Sequence, residues 1–569
     1  MNRAFLEHFK RKTFLLDGVW EFKADYNDVG ETDCWYKNFP TDDVMEVAVP
    51  ACLNTRIGMM EFNSIAWYKK TFYSDAGNIR IAFAGVSEYA KVYLDGEYLG
   101  DHYGSFTAFD FTVKVDSGEH TLILRVDPRP TEDTIPLYRV DWYHYCGIMR
   151  SVEVSYLSDI IVESAFARYE LSNDLKNATL HVDTKLMNTT GNPCSCNLKI
   201  TLDNRLLHEG TYEVSHTSEF TVDAEIKDVR LWDVGKGELY TLKVETETDD
   251  LIDRIGFRKI ETRGKEILLN GKRVVMKGVN RHEDHPDWGF AIPVNLMQRD
   301  MDILKDLGVN SVRGSHYPNN KYFVDMCDKE GILFWSEIPM WGFHEEDLLR
   351  PLVMERGINM HKEMVTQYFN HPSIIIWGLH NECATDTEAG VNITKAFAET
   401  VKSLDTSRLL TYATNRAMKD ICFQYIDFIS VNQYTGWYEG ELEDWAQWVA
   451  DMKARLKDIG MDSKPVLFSE FGVGAMFGVK TFDGLRWTEN YQQEYYDHTI
   501  NLFLSDNDLS GVYLWQYCDI RTSREMGNDR ARSFNNKGVV NEYRKPKMAY
   551  GAVKELYGKL ASLTEKEKN

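Results

Sequence analysis

No apolar run in this chain approaches the roughly 20 residues that a membrane-spanning helix needs, so a membrane span is not expected. The opening segment MNRAFLEHFKRKTFLLDG has neither the apolar core of about 7–15 residues nor the small-residue cleavage site of a secretory leader. Positive charge is in short supply: 65 Lys and Arg face 88 Asp and Glu, for a formal net charge of −23. Such a field repels nucleic acid and anionic lipid, so neither is an expected partner. The cysteines number nine, an odd count, and are scattered. Their only close pair, Cys194 and Cys196, has no second pair with which to complete a zinc site. Free thiols in a reducing cytoplasm are the expectation, with no metal and no cofactor. Internal repeats are absent, and the only biased tract is the charged tail TEKEKN.

What is there reads as three segments. A chain of 569 residues suggests about three to five domains, and 43% apolar residues supply ample core. Residues 1–155 carry short alternating runs such as KVYLDGEYLG and HTLILRV, broken by Gly, Asp and Pro. The Asp95–Gly96 dipeptide between two of them marks a hairpin, and dense aromatics suit a jelly-roll-like β-sandwich. Residues 156–258 continue with TLHVDTKLMN, SCNLKITLDN and LYTLKVETE, at the spacing of an immunoglobulin-like sandwich. From 259 to 569 the texture changes. Apolar runs such as RVVMKGVN, VNSVRGSH, ILFWSEIP, SIIIWGLHNE and PVLFSEFG alternate with amphipathic helical stretches. Eight such units predict one (β/α)8 barrel. A doubly wound sheet is the rival, but it would not place polar residues at the end of nearly every strand.

A barrel enzyme keeps its chemistry at those ends. Here they read Asn280, Arg281, His282; Arg313, His316; Glu337; Asn381, Glu382; Asn415; Asn432, Tyr434; Glu470; and Trp515. Aromatic faces for pyranose rings beside groups that read hydroxyls suit a sugar site. Glu382 and Glu470 end the fourth and seventh runs, across the barrel mouth from each other. Two carboxylates so placed can flank one glycosidic bond, about 5–5.5 Å apart in a retaining enzyme. Glu337 reads as structural.

The segments GVNRHEDHPDWG, SVRGSHYPNNKYFVDMCDKEGILFWSEIP, NHPSIIIWGLHNE and FSEFG resemble the signatures of glycoside hydrolase family 2. DGVWEF and RLWDVGKGELYTLKVET resemble its two β domains, so the likeness covers almost the whole chain. The resemblance implies that Glu382 is the acid/base and Glu470 the nucleophile. It also implies that Asn381 holds the sugar 2-hydroxyl, that Tyr434 hydrogen-bonds Glu470, and that His316 serves the same site.

The family takes neutral and acidic sugars, so the group that reads C6 decides. Residues 521–547 hold eight Lys/Arg against three Asp/Glu, a local balance of +5 in an acidic chain. A basic loop after the eighth strand suggests an anionic substrate group. Asn535-Asn536-Lys537 resembles the Asn-x-Lys motif with which β-glucuronidases grip the sugar carboxylate. Similar matches bring in Asp141 from VDWYHYCGIMR, Tyr438 from VNQYTGWYEG, and Trp515. In that subfamily an Arg stands four residues before the motif's Asn. Here that place is Ala531, flanked by Arg530 and Arg532, and the reading favours Arg532. The expected substrates are small-molecule glucuronides or uronic-acid-terminated oligosaccharides, and the expected assembly is a homo-oligomer (dimer or tetramer). The alternatives are a family-2 β-galacturonidase or β-galactosidase, or a non-catalytic carbohydrate-binding protein.

Overall fold

A computed structural model describes residues 4–566. The N-terminal part packs a six-stranded antiparallel sheet against a four-stranded one over a shared apolar core that includes Trp20, Phe22, Ile79, Val92 and Leu124. Strands Tyr89–Leu94 and Glu97–Tyr103 form the hairpin that the Asp-Gly pair predicts. Asp95 and Gly96 take φ of 52° and 84°, the left-handed values that a tight two-residue turn demands. The next part packs three- and four-stranded sheets over a separate core around Leu180, Val182, Leu198 and Leu242.

Eight parallel strands then close into a barrel. In chain order they are β1 (Met276–Asn280), β2 (Ser311–Gly314), β3 (Leu333–Glu337), β4 (Ile374–Asn381), β5 (Leu409–Thr414), β6 (Ile429–Asn432), β7 (Val466–Phe471) and β8 (Leu509–Leu514). Every residue of β4 and of β7 is buried, as both faces of a parallel strand must be when helices cover one side. The connecting helices start and stop where local chemistry directs. The Asn320 side chain caps Lys321–Glu330, and Gly331 at φ 67° ends it. Between β3 and β4 the chain forms the helices Glu345–Leu348 and Pro351–Gln367 and no long loop. All nine cysteines are free. Among the described residues, no helix is long and apolar enough to cross a membrane.

The sandwiches matter to the site because buried arginines anchor them to the barrel. Arg258 donates to the backbone carbonyls of Pro372, Ser407 and Ile374. Arg150 reaches the Glu283 carboxylate at 3.0 Å and the Pro318 carbonyl at 2.9 Å. An irregular stretch of the first sandwich between the strands Gly118–Asp127 and Val152–Leu157 is thereby held over the barrel mouth. Its Trp142 is buried in the barrel's own core cluster.

Candidate active site

The floor of the barrel mouth is organised around Arg313, the penultimate residue of β2, which has no exposed surface. Its Nε and Nη2 grip both oxygens of Glu337 at 2.9 and 2.8 Å. Its Nη1 donates to Glu470 Oε1 at 2.7 Å, and Nη2 also donates to Asn381 Oδ1 at 2.7 Å. A guanidinium that satisfies two carboxylates at once fixes both in place. Tyr434 donates its hydroxyl proton to the other Glu470 oxygen, at 2.7 Å. Burial raises the Glu470 pKa, and the contacts from Arg313 and Tyr434 oppose that rise.

Glu382 is treated differently. It follows β4 at φ 53°, a conformation costly for a side-chain-bearing residue and concentrated at functional sites. Its carboxyl accepts one bond, from Asn432 Nδ2 at 2.8 Å. Burial first, and then the negative Glu470, lift its pKa to about 8. Two carboxyls that share a site with unequal support divide the labour of acid and base. Ser469 donates to Asn432 Oδ1 at 2.7 Å, which orients that amide toward Glu382. Asn381 Oδ1 then accepts from both Arg313 and Asn432. Its Nδ2 is buried without a protein partner, a donor left for a ligand.

The rim facing this floor comes from two loops of different parts of the chain. Lys537 is 2% exposed and donates to the Tyr438 hydroxyl at 2.8 Å. The rings of Tyr434, Trp437 and Tyr438 surround its ammonium at 5.5, 5.7 and 4.8 Å. Burial pushes the Lys537 pKa down. Asn535 Nδ2 donates to Asp141 at 2.5 Å, and Asp141 also takes Arg530 at 3.1 Å. Arg530 Nη1 reaches Tyr438 at 3.0 Å. Trp515 stacks on His316, with ring centroids 5.0 Å apart.

The residues singled out from the sequence therefore gather at one mouth, with one correction. Arg532 turns away. It is exposed, sits at φ 62°, and spends its guanidinium on Glu542 at 2.8 Å and Asn536 at 2.7 Å. Along the short strand Phe534–Asn535 neighbouring side chains alternate, so Asn536 points with Arg532 while Asn535 and Lys537 face the mouth. Arg530 is the arginine at the rim. Arg313, Asn432 and His282 were read only as polar strand ends with no assigned role, and Trp142 was not singled out. An arginine inside an otherwise apolar strand, as in SVRG, is a usable signal because it must be paired to be buried. The fold also assembles Asp325, Asp328 and His371 closely enough to hold a metal. There His371 Nδ1 lies 2.6 Å from Asp328.

Three family models cover the chain: the sugar-binding domain of glycosyl hydrolases family 2 over residues 14–157, the family 2 domain over 160–258, and its TIM barrel domain over 260–562. The chain belongs to glycosyl hydrolase family 2. A β-glucuronidase of Paenibacillus borealis is 26% identical, with 97% of this chain and 98% of that protein covered. A β-galacturonidase of this family from Eisenbergiella tayi, solved with galacturonate, is 33% identical, with a TM-score of 0.91 over 98% of this chain and 99% of its own. A β-glucuronidase from Ruminococcus gnavus, solved with uronic isofagomine, is 26% identical, with a TM-score of 0.87 over 98% of this chain and all of its own.

Proposed function

We propose that this family-2 glycosidase removes terminal β-D-glucuronic acid from glucuronides with retention of configuration. Glu470 attacks the anomeric carbon as Glu382 gives its proton to the departing oxygen. Glu382 then takes a proton from the water that releases the sugar from Glu470. A pKa near 8 keeps Glu382 protonated at neutrality, as the first step requires. Asn381 Nδ2, unpaired and buried, suits the sugar 2-hydroxyl.

The observation that carries the choice of sugar is the charge of the rim. Lys537 and Arg530 bring two positive charges against the single negative charge of Asp141. A buried surplus of one cation calls for an anion from the substrate, and the C6 carboxylate of a uronic acid supplies it. A neutral hexose would leave Lys537 uncompensated. The nine free thiols fit a reducing compartment, and with it a cytoplasmic enzyme.

A second reading, a β-galacturonidase, is favoured by the 33% identity to the Eisenbergiella tayi protein. The two sugars share the carboxylate and differ only at C4. A panel of aryl β-glucuronide, β-galacturonide, β-galactoside and β-mannoside separates the readings. The expected result is turnover of the uronides far above that of the neutral sugars, with the glucuronide fastest. Preference for the galacturonide would select the second reading, and preference for a neutral sugar would remove both. Proton NMR of the first-formed product should show the β anomer.

A further inference from the structure

Lys537 sits in a stretch with no regular structure to hold it. The short strand Phe534–Asn535 ends two residues earlier, and residues 536–538 belong to neither helix nor strand. Buried backbone groups in such a stretch must find partners elsewhere. The Lys537 side chain gives little anchorage of its own, with one hydrogen bond, to Tyr438, and three aromatic neighbours.

The partners come from an ion pair that the reaction does not use. Lys547 Nζ and Asp519 Oδ1 are 2.7 Å apart, and neither side chain has exposed surface. The pair grips the peptide units on both sides of Lys537. Lys547 Nζ donates to the Asn536 carbonyl, which precedes Lys537, at 2.9 Å. Asp519 Oδ1 accepts the Gly538 N–H, which follows it, at 2.9 Å. Lys547 Nζ also donates to the Ala475 carbonyl at 2.6 Å, and the Ala475 N–H donates to the Asn536 carbonyl at 2.9 Å. Asp519 follows β8 and Ala475 follows β7, so the stretch is tied to the chain leaving two paired barrel strands. Gly538 admits no side chain here, because a Cβ would lie 2.3 Å from the Asp519 nitrogen.

An ammonium has three protons, and those of Lys547 are spent on Asp519, Asn536 and Ala475. None is left for a substrate. Nor is net stability the obvious gain, since the cost of desolvating two buried ions offsets their attraction. What the pair supplies is direction: three fixed acceptors give the ammonium one orientation, and with it the loop. A group that reads a ligand must be held within about 0.5 Å of its productive place by the residues behind it.

We propose that Lys547 and Asp519 are positioning residues for the rim, clamping the peptide units that flank Lys537 and so setting where its ammonium meets the sugar carboxylate. The inference rests on the reading of Lys537 as the group that recognises C6.

The test compares kcat/KM on an aryl β-glucuronide and on the matching β-glucoside. It uses the wild type, Lys547→Met, Lys537→Ala and the variant that combines them. A misplacement of about 1 Å can cost on the order of 10²-fold, so the glucuronide-to-glucoside ratio should fall at least about tenfold in Lys547→Met. Because the clamp acts through Lys537, the combined variant should match the ratio of Lys537→Ala within about twofold. A pair that served the core alone would lower both sugars together and leave the ratio where it was. Should Lys547→Met leave Asp519 too costly to bury, Lys547→Met/Asp519→Asn removes both charges and carries the same expectation, with the thermal midpoint reporting the fold. An unchanged ratio in Lys537→Ala would remove the C6 reading itself. A fallen ratio in Lys537→Ala beside an unchanged one in the folded Lys547 variants would overturn the clamp alone.

Discussion

The floor and the rim of this mouth are built on opposite plans. The floor stands on the ends of rigid parallel strands. Arg313 carries one positive charge against Glu337 and Glu470, so with Glu382 protonated it is short of one cation. The rim is made of loops from the first sandwich and from the segment after β8. There Lys537 and Arg530 outnumber Asp141, so it is short of one anion. On the proposed reading, reaction chemistry sits on strand ends and sugar choice on loops. The opposite imbalances also give a uronide a direction: its carboxylate is drawn to the rim, and its anomeric carbon, where positive charge develops in the transition state, to the floor.

The largest effects should come from breaking the floor. Glu470→Ala should lower kcat on the order of 10⁴-fold or more on any glycoside, since it removes the proposed nucleophile that Arg313 and Tyr434 each hold at 2.7 Å. Residual turnover within tenfold of wild type would remove Glu470 from that role.

Glu382→Ala should be selective in its damage. Alkyl glucuronides, with poor leaving groups, should lose about 10²–10⁴-fold, and activated nitrophenyl glucuronides far less in the first step. Equal losses would contradict the acid/base assignment. Because Glu382 must be protonated and its pKa stands near 8, loss of the acid should not lower kcat/KM at pH below that value, and any acidic limb belongs to protonation of Glu470. Above it, activity should fall about tenfold per pH unit. A basic limb that survives Glu382→Gln would have to belong to another group.

A smaller effect compares two arginines on the same loop. Arg530→Ala should cost about tenfold in kcat/KM on glucuronides, because Asp141 and Tyr438 lose their shared cation. Arg532→Ala, which breaks part-buried contacts to Glu542 and Asn536 but none to Asp141 or Tyr438, should cost clearly less. The opposite ranking would return Arg532 to the rim.

The floor was largely legible in the sequence, and the rim only in part. Strand ends declare themselves, because an apolar run that stops at Asn-Glu or at Glu-Phe-Gly can hold its carboxylate only at the barrel mouth. The hairpin at Asp95–Gly96 was equally legible, since its turn chemistry is local. The choice between Arg530 and Arg532 was not. It depends on a left-handed backbone at Arg532 and on Glu542, ten residues away, claiming one guanidinium. The partner of the other, Asp141, lies 389 residues earlier in the chain. The Arg313 network was half visible: the buried arginine is in the sequence, but that it joins Glu337, Asn381 and Glu470 appears only when β2, β3 and β4 stand side by side with β7 across the barrel.

Whether the rim reads a carboxylate decides the sugar, and Lys537→Ala measured on paired substrates asks this most directly. Lys537 is buried among three aromatic rings, and a charge-assisted contact from it is worth about 1.5–3 kcal/mol. At about 1.4 kcal/mol per tenfold, kcat/KM on an aryl glucuronide should fall by at least one to two orders of magnitude. On the matching glucoside, which has no C6 charge, the fall should be far smaller. Equal losses on the two sugars, or undiminished glucuronide turnover, would contradict the account. The sugar of this glycosidase would then have to be sought among the neutral ones.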